Sequence, residues 1–323
     1  MTNAIRMHAH GGPEVLCWET VDLAPLLPGE VRVKHRAIGL NFVDTYYRTG
    51  LYPTDLPAIP GSEAAGVVEA VGPGVSELAP GDRVAYVSGP LGAYAEARNI
   101  PASVLVKLPP EIDERVAAAV MLKGMTTQYL VEIGRLTTGS IVLVHAAAGG
   151  VGLLLTQWAK HAGATVLGTA GSEEKVALAR EHGCDDVIAY RTENVPDRVR
   201  ELTAGRKCDV VYDSVGKDTF EGSLQCLRPR GLMVSFGNAS GPAPAVEPRA
   251  LAAAGSLFLT RPVLADYIRQ PEELRLRARD LFDKIARDIV KPRIAQTYPL
   301  RDAATAQREL EARRTTGSTL LIP

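Results

Sequence analysis

Residues 142–152 read Val142-Leu143-Val144-His145-Ala146-Ala147-Ala148-Gly149-Gly150-Val151-Gly152, and this stretch decides the fold. The apolar run at 141–144 is typical of a strand buried on both faces, and a helical pattern follows at 153–161. The small residues between them let the backbone approach a pyrophosphate, whose charge the helix N-terminus attracts. The stretch predicts a dinucleotide-binding turn, and the alternative is a tight turn without a ligand.

Strand and helix patterns alternate after this turn. Strand patterns recur at 165–167, 187–190, 209–212 and 232–236, and helical segments separate them. This alternation predicts an α/β domain with a doubly wound parallel sheet. One of its helices, at 173–182, should have Ser172 as the N-cap residue.

The preceding 120 residues have a different pattern. The alternation at 31–34 and the turn signal at 80–82 before an apolar run are typical of short strands joined by glycine and proline turns, which predicts a barrel-like β domain. After about residue 260 the pattern predicts a long charged helix at 271–289 and a β-like ending at 318–322, and this ending should return to the β domain. We therefore expect one domain of residues 1–124 and 261–323 that encloses a second domain of residues 125–260.

The composition is that of an ordinary soluble protein. Hydrophobic residues make up 46% of the 323 residues, charged residues 23%, and the net charge is −1, so no overall field favours nucleic acid or an anionic membrane. The N-terminus lacks the apolar stretch of a signal peptide, and no apolar run of 18 residues predicts membrane insertion. The four cysteines lie too far apart for a metal or redox motif, which indicates free thiols in the cytoplasm.

The end of the second strand bears on the choice of cofactor. NAD-specific sites usually place an acidic residue about 20 residues after the turn, whereas residues 168–172 read Gly-Thr-Ala-Gly-Ser. The small residues Gly171 and Ser172 leave room for a 2′-phosphate, and Lys175 follows within one helical turn. The neighbouring residues Glu173 and Glu174 oppose this interpretation, and Lys175 has the alternative of a solvated surface lysine.

Several strings along the chain carry a family resemblance. The chain resembles the quinone oxidoreductases of the zeta-crystallin type, a branch of the medium-chain dehydrogenase/reductase superfamily. The strings are His10-Gly11-Gly12-Pro13-Glu14-Val15-Leu16, Asn41-Phe42-Val43-Asp44-Thr45-Tyr46, Thr49-Gly50-Leu51-Tyr52-Pro53, Leu122-Lys123-Gly124-Met125-Thr126, 146–152, Asp213-Ser214-Val215-Gly216, Ser235-Phe236-Gly237-Asn238 and 317–323.

The resemblance implies a fold, a cofactor and an assembly. It implies a GroES-like β-barrel domain joined to a Rossmann domain, NADPH in the cleft between them, and a homodimer. The implied cofactor contacts are Lys175, Tyr190 and Arg313 for the 2′-phosphate, Ala148, Gly149, Gly150 and Val151 for the pyrophosphate, and Asn41, Thr127, Phe236 and Gly237 for the nicotinamide end, with Lys123, Gly171, Ser172, Ser214, Val215 and Phe258 beside them.

The resemblance also implies catalytic residues. They are Asn41, Asp44, Tyr46, Tyr52 and Thr127, with the tyrosines packed against the substrate. Several of the implied residues have a structural alternative. The tyrosines could pack under a loop, Asn41 and Asp44 could cap a helix that begins near 44, and Arg313 could be solvated. His145 is expected to be a core histidine with satisfied hydrogen bonds.

The zinc positions of the superfamily carry other residues here. Zinc-dependent members have Gly-His-Glu where this chain has Gly61-Ser62-Glu63, and Asn41 corresponds roughly to a catalytic cysteine. Serine and amide oxygens bind zinc poorly, and the structural cluster of four cysteines is absent from the sequence. We therefore expect no metal.

The loss of zinc is consistent with an acidic product. Hydride addition to a ketone leaves an alkoxide, comparable to hydroxide with a pKa of about 15.7 for water, whereas a quinone yields a phenolate-like anion near 10. A difference of about five pKa units means that the anion of the quinone product needs roughly 7 kcal/mol less stabilisation. A quinone reductase can therefore act by positioning alone, with the product taking its proton from water, and a delocalised enolate gives an enone reductase the same advantage.

These features predict a zinc-independent NADPH:quinone oxidoreductase. The runner-up is an NADPH-dependent enone or alkenal reductase. A non-enzymatic crystallin-like or RNA-binding role is the alternative of another class, and the aromatic content of 5% without a basic stripe does not favour it. We expect Asn41 and Asp44 to orient cofactor or substrate, with amide donors in the pocket. The apolar run 257–260 should pair as an edge strand in the dimer.

Overall fold

The computed structural model of the chain describes residues 1–87 and 89–323. These residues form two units. The first comprises Met1–Met125, Ile268–Ala286 and Pro292–Pro323, and the second comprises Thr126–Tyr267 and Arg287–Lys291. The domain bounds expected at 124 and 261 stay a prediction.

Fifteen strands are present in the described ranges. They are β1 (Thr2–Arg6), β2 (Cys17–Val21), β3 (Glu30–Leu40), β4 (Ala64–Val71), β5 (Arg83–Tyr86), β6 (Ala97–Pro101), β7 (Val106–Lys107), β8 (Ile141–Val144), β9 (Thr165–Ala170), β10 (Asp186–Ala189), β11 (Cys208–Asp213), β12 (Leu227–Ser235), β13 (Phe258–Thr260), β14 (Ile294–Pro299) and β15 (Ser318–Ile322).

Ten α-helices and three short 3-10 helices complete the described secondary structure. The α-helices are α1 (Phe42–Thr49), α2 (Glu114–Gly134), α3 (Gly150–His161), α4 (Glu173–Glu181), α5 (Val195–Leu202), α6 (Phe220–Gln225), α7 (Pro248–Ala253), α8 (Leu264–Tyr267), α9 (Pro271–Ala286) and α10 (Ala303–Glu311). The 3-10 helices are Pro13–Val15, Ala102–Val104 and Leu300–Asp302.

The first unit is built on a seven-stranded sheet. Its strand order is β14-β15-β3-β4-β5-β7, and β6 also pairs with β3. The long strand β3 alternates buried and more exposed residues over its first half, as the sequence pattern at 31–34 predicted. The C-terminal strand β15 runs antiparallel to β3, with Leu320 opposite Gly39.

The second unit contains a six-stranded parallel sheet. Its order is β10-β9-β8-β11-β12-β13, which is 3-2-1-4-5-6 when these strands are counted along the chain. This is the Rossmann order, whose ligand crevice lies at the carboxyl ends of the strands. The α/β fold class predicted from the alternating pattern is therefore confirmed, and β13 forms one edge of the sheet.

The strand before the glycine-rich turn is buried on both faces. Val142 and Val144 belong to one apolar cluster, whereas Leu143 between them belongs to another. All three side chains are at most 1% exposed. Burial on both faces explains the continuous apolar run in the sequence, because no position of this strand alternates toward water.

The helix signals of the sequence mark the helix ends well. Ser172 is the N-cap residue of α4, and its Oγ accepts a hydrogen bond from the Lys175 backbone N–H, as predicted. The long charged helix expected at 271–289 ends at 286 instead, where Arg287 and Asp288 lead into a turn. None of the helices in residues 1–87 and 89–323 has the length and apolar character needed to cross a membrane.

Candidate functional site

The predicted phosphate turn joins β8 to α3. The backbone N–H groups of Ala146 and Ala147 donate to Oγ1 and O of Thr169, at 3.2 and 3.0 Å, and tie the turn to β9. A Cβ on Gly152 would lie 2.4 Å from the carbonyl oxygen of Ala146. Glycine is therefore required at 152, whereas Ala147 is accommodated where the usual fingerprint has its first glycine.

The start of α3 fits a pyrophosphate. Gly149 is the N-cap residue, and the first turn carries no acidic side chain. The leading N–H groups of a helix have no partner within it and attract an anion. Gly150 and Val151 at this end are only partly buried, and Ala148 is buried beside them. The predicted pyrophosphate residues thus lie together around one helix N-terminus.

The predicted 2′-phosphate residues of the second unit lie at the carboxyl ends of β9 and β10. The Tyr190 N–H donates to the Ala170 carbonyl at 3.2 Å. A Cβ on Gly171 would lie 2.5 Å from the Tyr190 hydroxyl, so the glycine makes room for this half-exposed ring. Ser172 and Lys175 follow at the start of α4, which completes a polar surface without an acidic group on the strand end.

Two further predicted cofactor segments lie side by side after β11 and β12. The Phe236 N–H donates to the Asp213 carbonyl at 2.8 Å, and a Cβ on Gly237 would lie 2.3 Å from the Ser214 carbonyl oxygen. The buried Asp213 carboxylate organises the first loop, because it accepts hydrogen bonds from the N–H of Val215 at 2.8 Å and from the side chains of Thr219 and Ser223.

His145 is a core histidine, as predicted. Its Nε2 lies 2.9 Å from Ser223 Oγ, and its Nδ1 lies 3.2 Å from Thr169 Oγ1. Burial lowers the pKa of the imidazole, although the Asp213 carboxylate opposes this shift. Because the Ser223 hydroxyl donates to Asp213, the serine is held as a structural link.

Four further predicted residues lie on other elements of the fold. Thr127 is fully buried on α2 in the second unit, and Phe258 on β13 is 62% exposed. Lys123 is buried on the same helix α2 but belongs to the first unit. Arg313 lies just after α10 in the first unit, exposed and with a positive φ of 59°.

The predicted substrate tyrosines form an aromatic cluster at α1. The rings of Tyr46 and Tyr52 meet edge to face with centroids 5.3 Å apart, and Tyr47 also meets Tyr52 edge to face at 5.6 Å. Phe42 lies 6.3 Å from Tyr46. The rings therefore hold one another in place, so packing and a substrate wall are compatible roles.

The polar residues beside this cluster form a buried group that we call the polar cluster: Asn41, Asp44, Glu63, Tyr94 and Lys123. Asn41 is the N-cap residue of α1 and forms a capping box with Asp44, so the predicted capping role is observed. Asn41 Nδ2 donates to Glu63 Oε2 at 2.7 Å. Lys123 Nζ lies 3.5 Å from the same oxygen, which pairs the two buried charges.

Asp44 is fully buried. Its Oδ2 accepts hydrogen bonds from the Asn41 N–H and the Tyr94 hydroxyl, both at 2.9 Å, and its Oδ1 has no partner among the described residues. Burial raises the pKa of this carboxyl to about 7, against the opposing effects of the two hydrogen bonds and the Lys123 ammonium. Asp44 therefore exchanges a proton near neutral pH.

Arg48 connects α1 to two distant segments. Its guanidinium donates to the Gly11 carbonyl at 3.0 Å, to Gln307 Oε1 at 2.8 Å and to both carboxylate oxygens of Glu311. The side chain is 2% exposed. This bidentate contact ties the aromatic and polar clusters of α1 to α10 and to the 10–16 string.

The residues at the expected zinc positions are engaged differently. Asn41 turns its amide nitrogen toward Glu63, and this carboxylate also accepts from the Leu122 N–H at 2.6 Å. The Ser62 hydroxyl has no partner in the described ranges. Across residues 1–87 and 89–323, no three His, Cys, Asp or Glu side chains converge on a point suited to a metal ion.

Sequence reasoning missed several members of this site. Glu63 was seen only as part of the altered zinc string, and Tyr94, Arg48 and Asp213 were not singled out. Pairs such as Asp44 and Tyr94, which lie 50 residues apart, leave no local signal. Glu63 carried one, because an acid directly before a run of small apolar residues needs a partner if it is buried.

The fold and these sites define a class of protein: a two-unit dehydrogenase or reductase with a dinucleotide-binding sheet. Residues 27–110 match the alcohol dehydrogenase GroES-like domain family, and residues 150–270 match the zinc-binding dehydrogenase family.

Individual relatives narrow this class. A quinone oxidoreductase of Pseudomonas aeruginosa is 56% identical over the whole of both chains, and a 2-haloacrylate reductase of Burkholderia is 44% identical over 100% of this chain and 99% of its own. The crystal structure of an Escherichia coli quinone oxidoreductase complexed with NADPH has a TM-score of 0.97 at 48% identity, over 99% of this chain and 100% of its own. The chain belongs to the quinone oxidoreductase family of the medium-chain dehydrogenase/reductase superfamily.

Proposed function

We propose that the protein is a zinc-independent NADPH:quinone oxidoreductase. The observation that carries the proposal is the turn at 146–152 together with the end of β9, which has no acidic side chain, and the adjoining Ser172 and Lys175 at the start of α4. Relatives at 56% and 48% identity are named quinone oxidoreductases, which supports the substrate class.

NADPH is the proposed cofactor. Residues 148–151 would hold its pyrophosphate. Lys175, Tyr190 and Arg313 would read the 2′-phosphate, because two cations and a hydroxyl donor recognise a phosphate dianion. The NADPH in the Escherichia coli relative supports this choice. Ser214, Val215, Phe236 and Gly237 would line the rest of the cofactor, with Lys123, Thr127 and Phe258 as further proposed contacts.

The donor set supports chemistry without zinc. An amide nitrogen cannot serve as a zinc ligand, and the carboxylate that a metal would need is held by an ammonium, an amide and a backbone N–H. The zinc in the name of the matching family therefore does not extend to these positions.

The proposed reaction places a flat acceptor against the aromatic cluster. NADPH supplies a hydride when bound, and a quinone that gains this hydride and one proton becomes a hydroquinone. Tyr46 and Tyr52 would hold the ring by stacking, while Asn41 and Asp44 would orient the reactants. The anionic product takes its proton from water.

An activated alkene is the second candidate substrate. The 2-haloacrylate reductase relative favours it, because hydride addition to a conjugated double bond also leaves a delocalised anion. The two candidates share the cofactor, the aromatic wall and the absence of a Lewis acid, so only substrate turnover separates them.

The decisive experiment is an NADPH oxidation assay across quinones and activated alkenes, with NADH in parallel. We expect turnover of several quinones, preference for NADPH, full activity in chelator, and no stoichiometric zinc by elemental analysis. Turnover of alkenes alone would move the assignment to the second candidate. Equal use of NADH, or zinc-dependent activity, would contradict the cofactor or metal proposal.

We also propose a cytoplasmic homodimer joined through β13. This edge strand carries Phe258, Leu259 and the nearby Val263, which are 62%, 36% and 44% exposed. An apolar edge strand invites pairing with a second copy. Light scattering should find the Leu259→Lys variant as a monomer. The control is Leu276→Lys, which changes an exposed residue on α9 in the first unit, and this variant should stay dimeric. A monomeric wild type would contradict the proposal.

A further inference from the structure

Glu63 is the most constrained side chain of the polar cluster. It is fully buried, and its Oε1 accepts from the Leu122 N–H at 2.6 Å. Its Oε2 accepts from Asn41 Nδ2 at 2.7 Å and lies 3.5 Å from the Lys123 ammonium. These contacts hold the Glu63 carboxylate in one position, in which both of its oxygens act as hydrogen-bond acceptors.

The neighbouring backbone is shaped around this carboxylate. A Cβ on Gly39 would lie 2.1 Å from Glu63 Oε2 and 2.4 Å from the Ala118 carbonyl oxygen. The Gly39 N–H also donates to the Glu63 carbonyl at 3.1 Å. Glycine at 39 therefore makes room for Glu63 beside Asn41.

This arrangement fixes which end of the Asn41 amide is free. An ionised carboxylate only accepts hydrogen bonds, so the amide nitrogen must face Glu63. Nδ2 also lies 3.4 Å from the Gly39 carbonyl, and the Asn41 backbone N–H donates to Asp44. Every donor of Asn41 is thus committed within the first unit. Its Oδ1 accepts from the Asp44 N–H in the capping box, and one acceptor position on Oδ1 remains, since a carbonyl oxygen accepts two bonds.

We propose that Glu63 is a positioning residue that makes Asn41 an acceptor toward the reactants. Asn41 then recognises a hydrogen-bond donor, either a hydroxyl or amide N–H in the nicotinamide half of the cofactor or a hydroxyl of the reduced product, and does not donate to a quinone carbonyl. The inference rests on the proposed function. It differs from the expectation that Asn41 supplies an amide donor to the pocket.

An exchange of the two side chains tests the polarity directly. In Glu63→Gln, the glutamine nitrogen faces Asn41, whose amide must then turn over and present its nitrogen. In Asn41→Asp, two carboxylates face each other. The double variant Glu63→Gln/Asn41→Asp restores an amide against a carboxylate, with an acceptor oxygen on residue 41 as before.

Binding of NADPH, followed by its fluorescence, should weaken roughly tenfold in Glu63→Gln, as expected for the loss of one hydrogen bond in the complex. A similar loss is expected in Asn41→Asp, because repulsion from Glu63 moves the new carboxylate away from the acceptor position. The double variant should bind within about threefold of the wild type. Adenosine 2′,5′-bisphosphate, which lacks the nicotinamide half, should bind all four proteins equally. The group that donates to Asn41 could instead be a hydroxyl of the hydroquinone product. In that case all four proteins bind NADPH equally, and inhibition by hydroquinone weakens in the single variants and recovers in the double variant.

Two results would overturn the proposal: folded single variants with unchanged affinity for both NADPH and hydroquinone, or a folded double variant as weak as the singles. Asn41→Asp carries the test alone if Glu63→Gln does not fold. Wild-type turnover of quinones and binding of the bisphosphate check the proposed function separately.

Discussion

The phosphate turn of the second unit and the polar cluster of the first unit are built from different kinds of contact. The turn depends on backbone packed against backbone, as between Gly152 and the Ala146 carbonyl six residues earlier. The polar cluster depends on side chains 22 and 50 residues apart in sequence. A turn of the first kind tolerates few residue types at its glycine positions and has one further anchor, Thr169 on β9, whereas the cluster requires all of its members at once.

The largest expected effect concerns Asp44 in the polar cluster and the pH dependence of stability. Burial raises the pKa of this carboxyl from 3.8 to about 7, so the folded protein retains a proton that the unfolded chain releases near pH 4. The folded state is therefore disfavoured progressively as the pH rises from about 4 to 7, by up to about 4 kcal/mol. Above pH 7 both states are ionised and the penalty is constant.

Asp44→Asn cannot ionise but keeps an acceptor oxygen for Asn41 and Tyr94. Its unfolding free energy relative to the wild type should increase steadily between pH 4 and 7 in urea titrations. The buried His35, whose pKa burial lowers to about 4, destabilises both proteins as the pH falls below about 6.5, and this effect cancels in the comparison. A difference independent of pH would show that Asp44 is ionised throughout.

The second effect breaks the turn. A Cβ at 152 would collide with backbone atoms of Ala146 and Ala147, so Gly152→Ala must displace the N–H groups proposed for the pyrophosphate. The loss of two charge-assisted hydrogen bonds predicts roughly a hundredfold weaker NADPH affinity by calorimetry. Gly222→Ala is the control in the same unit, because the nearest atom to its added Cβ is 3.7 Å away. Equal affinity in the two variants would remove the turn from the cofactor site.

A third, smaller effect concerns Lys175 in the second unit and the preference for NADPH over NADH. One charge-assisted contact contributes about 1.5–3 kcal/mol, so Lys175→Ala should weaken NADPH by roughly tenfold or more and leave NADH nearly unchanged. Lys160→Ala, which removes a surface ion pair with Asp185 at 2.8 Å, should alter neither affinity. An equal loss for both cofactors would mean that Lys175 supports the fold.

The smallest effect concerns the aromatic cluster. Tyr46→Phe keeps the ring packed against Tyr52 and Phe42, so we expect less than about a tenfold loss in kcat, against about 10²–10⁴ for an obligatory proton donor. Tyr52→Ala removes the ring and should raise KM more than it lowers kcat. A thousandfold loss in Tyr46→Phe with intact NADPH binding would make Tyr46 an acid catalyst.

Much of the second unit could be predicted because its signals are local. The apolar run at 141–144, the glycines of the turn and the Ser172 cap each act over a few residues, so their sequence pattern and their structure correspond. The length of α9 was predicted less well, since residues 287–289 continue a helical pattern but adopt a turn that includes a positive φ at Asp288.

The first unit shows where local reasoning ends. Asn41 and Asp44 were recognised by sequence resemblance and by their capping pattern. Their protonation and hydrogen-bond direction depend on Glu63, Tyr94 and Lys123, which only the folded chain brings to them. Arg48 is the extreme case, because its partners Gln307 and Glu311 lie 259 and 263 residues away.

The sequence by itself therefore determined the fold class, the position of the dinucleotide turn and the residue types at the former zinc positions. These follow from short-range periodicity, from the steric limits on residues other than glycine and from ligand chemistry. Only the tertiary structure decided that Asp44 is buried enough to hold a proton near pH 7 and that Asn41 turns its amide nitrogen to Glu63. Both properties arise from desolvation and from hydrogen bonds between segments distant in the chain, which no local pattern encodes.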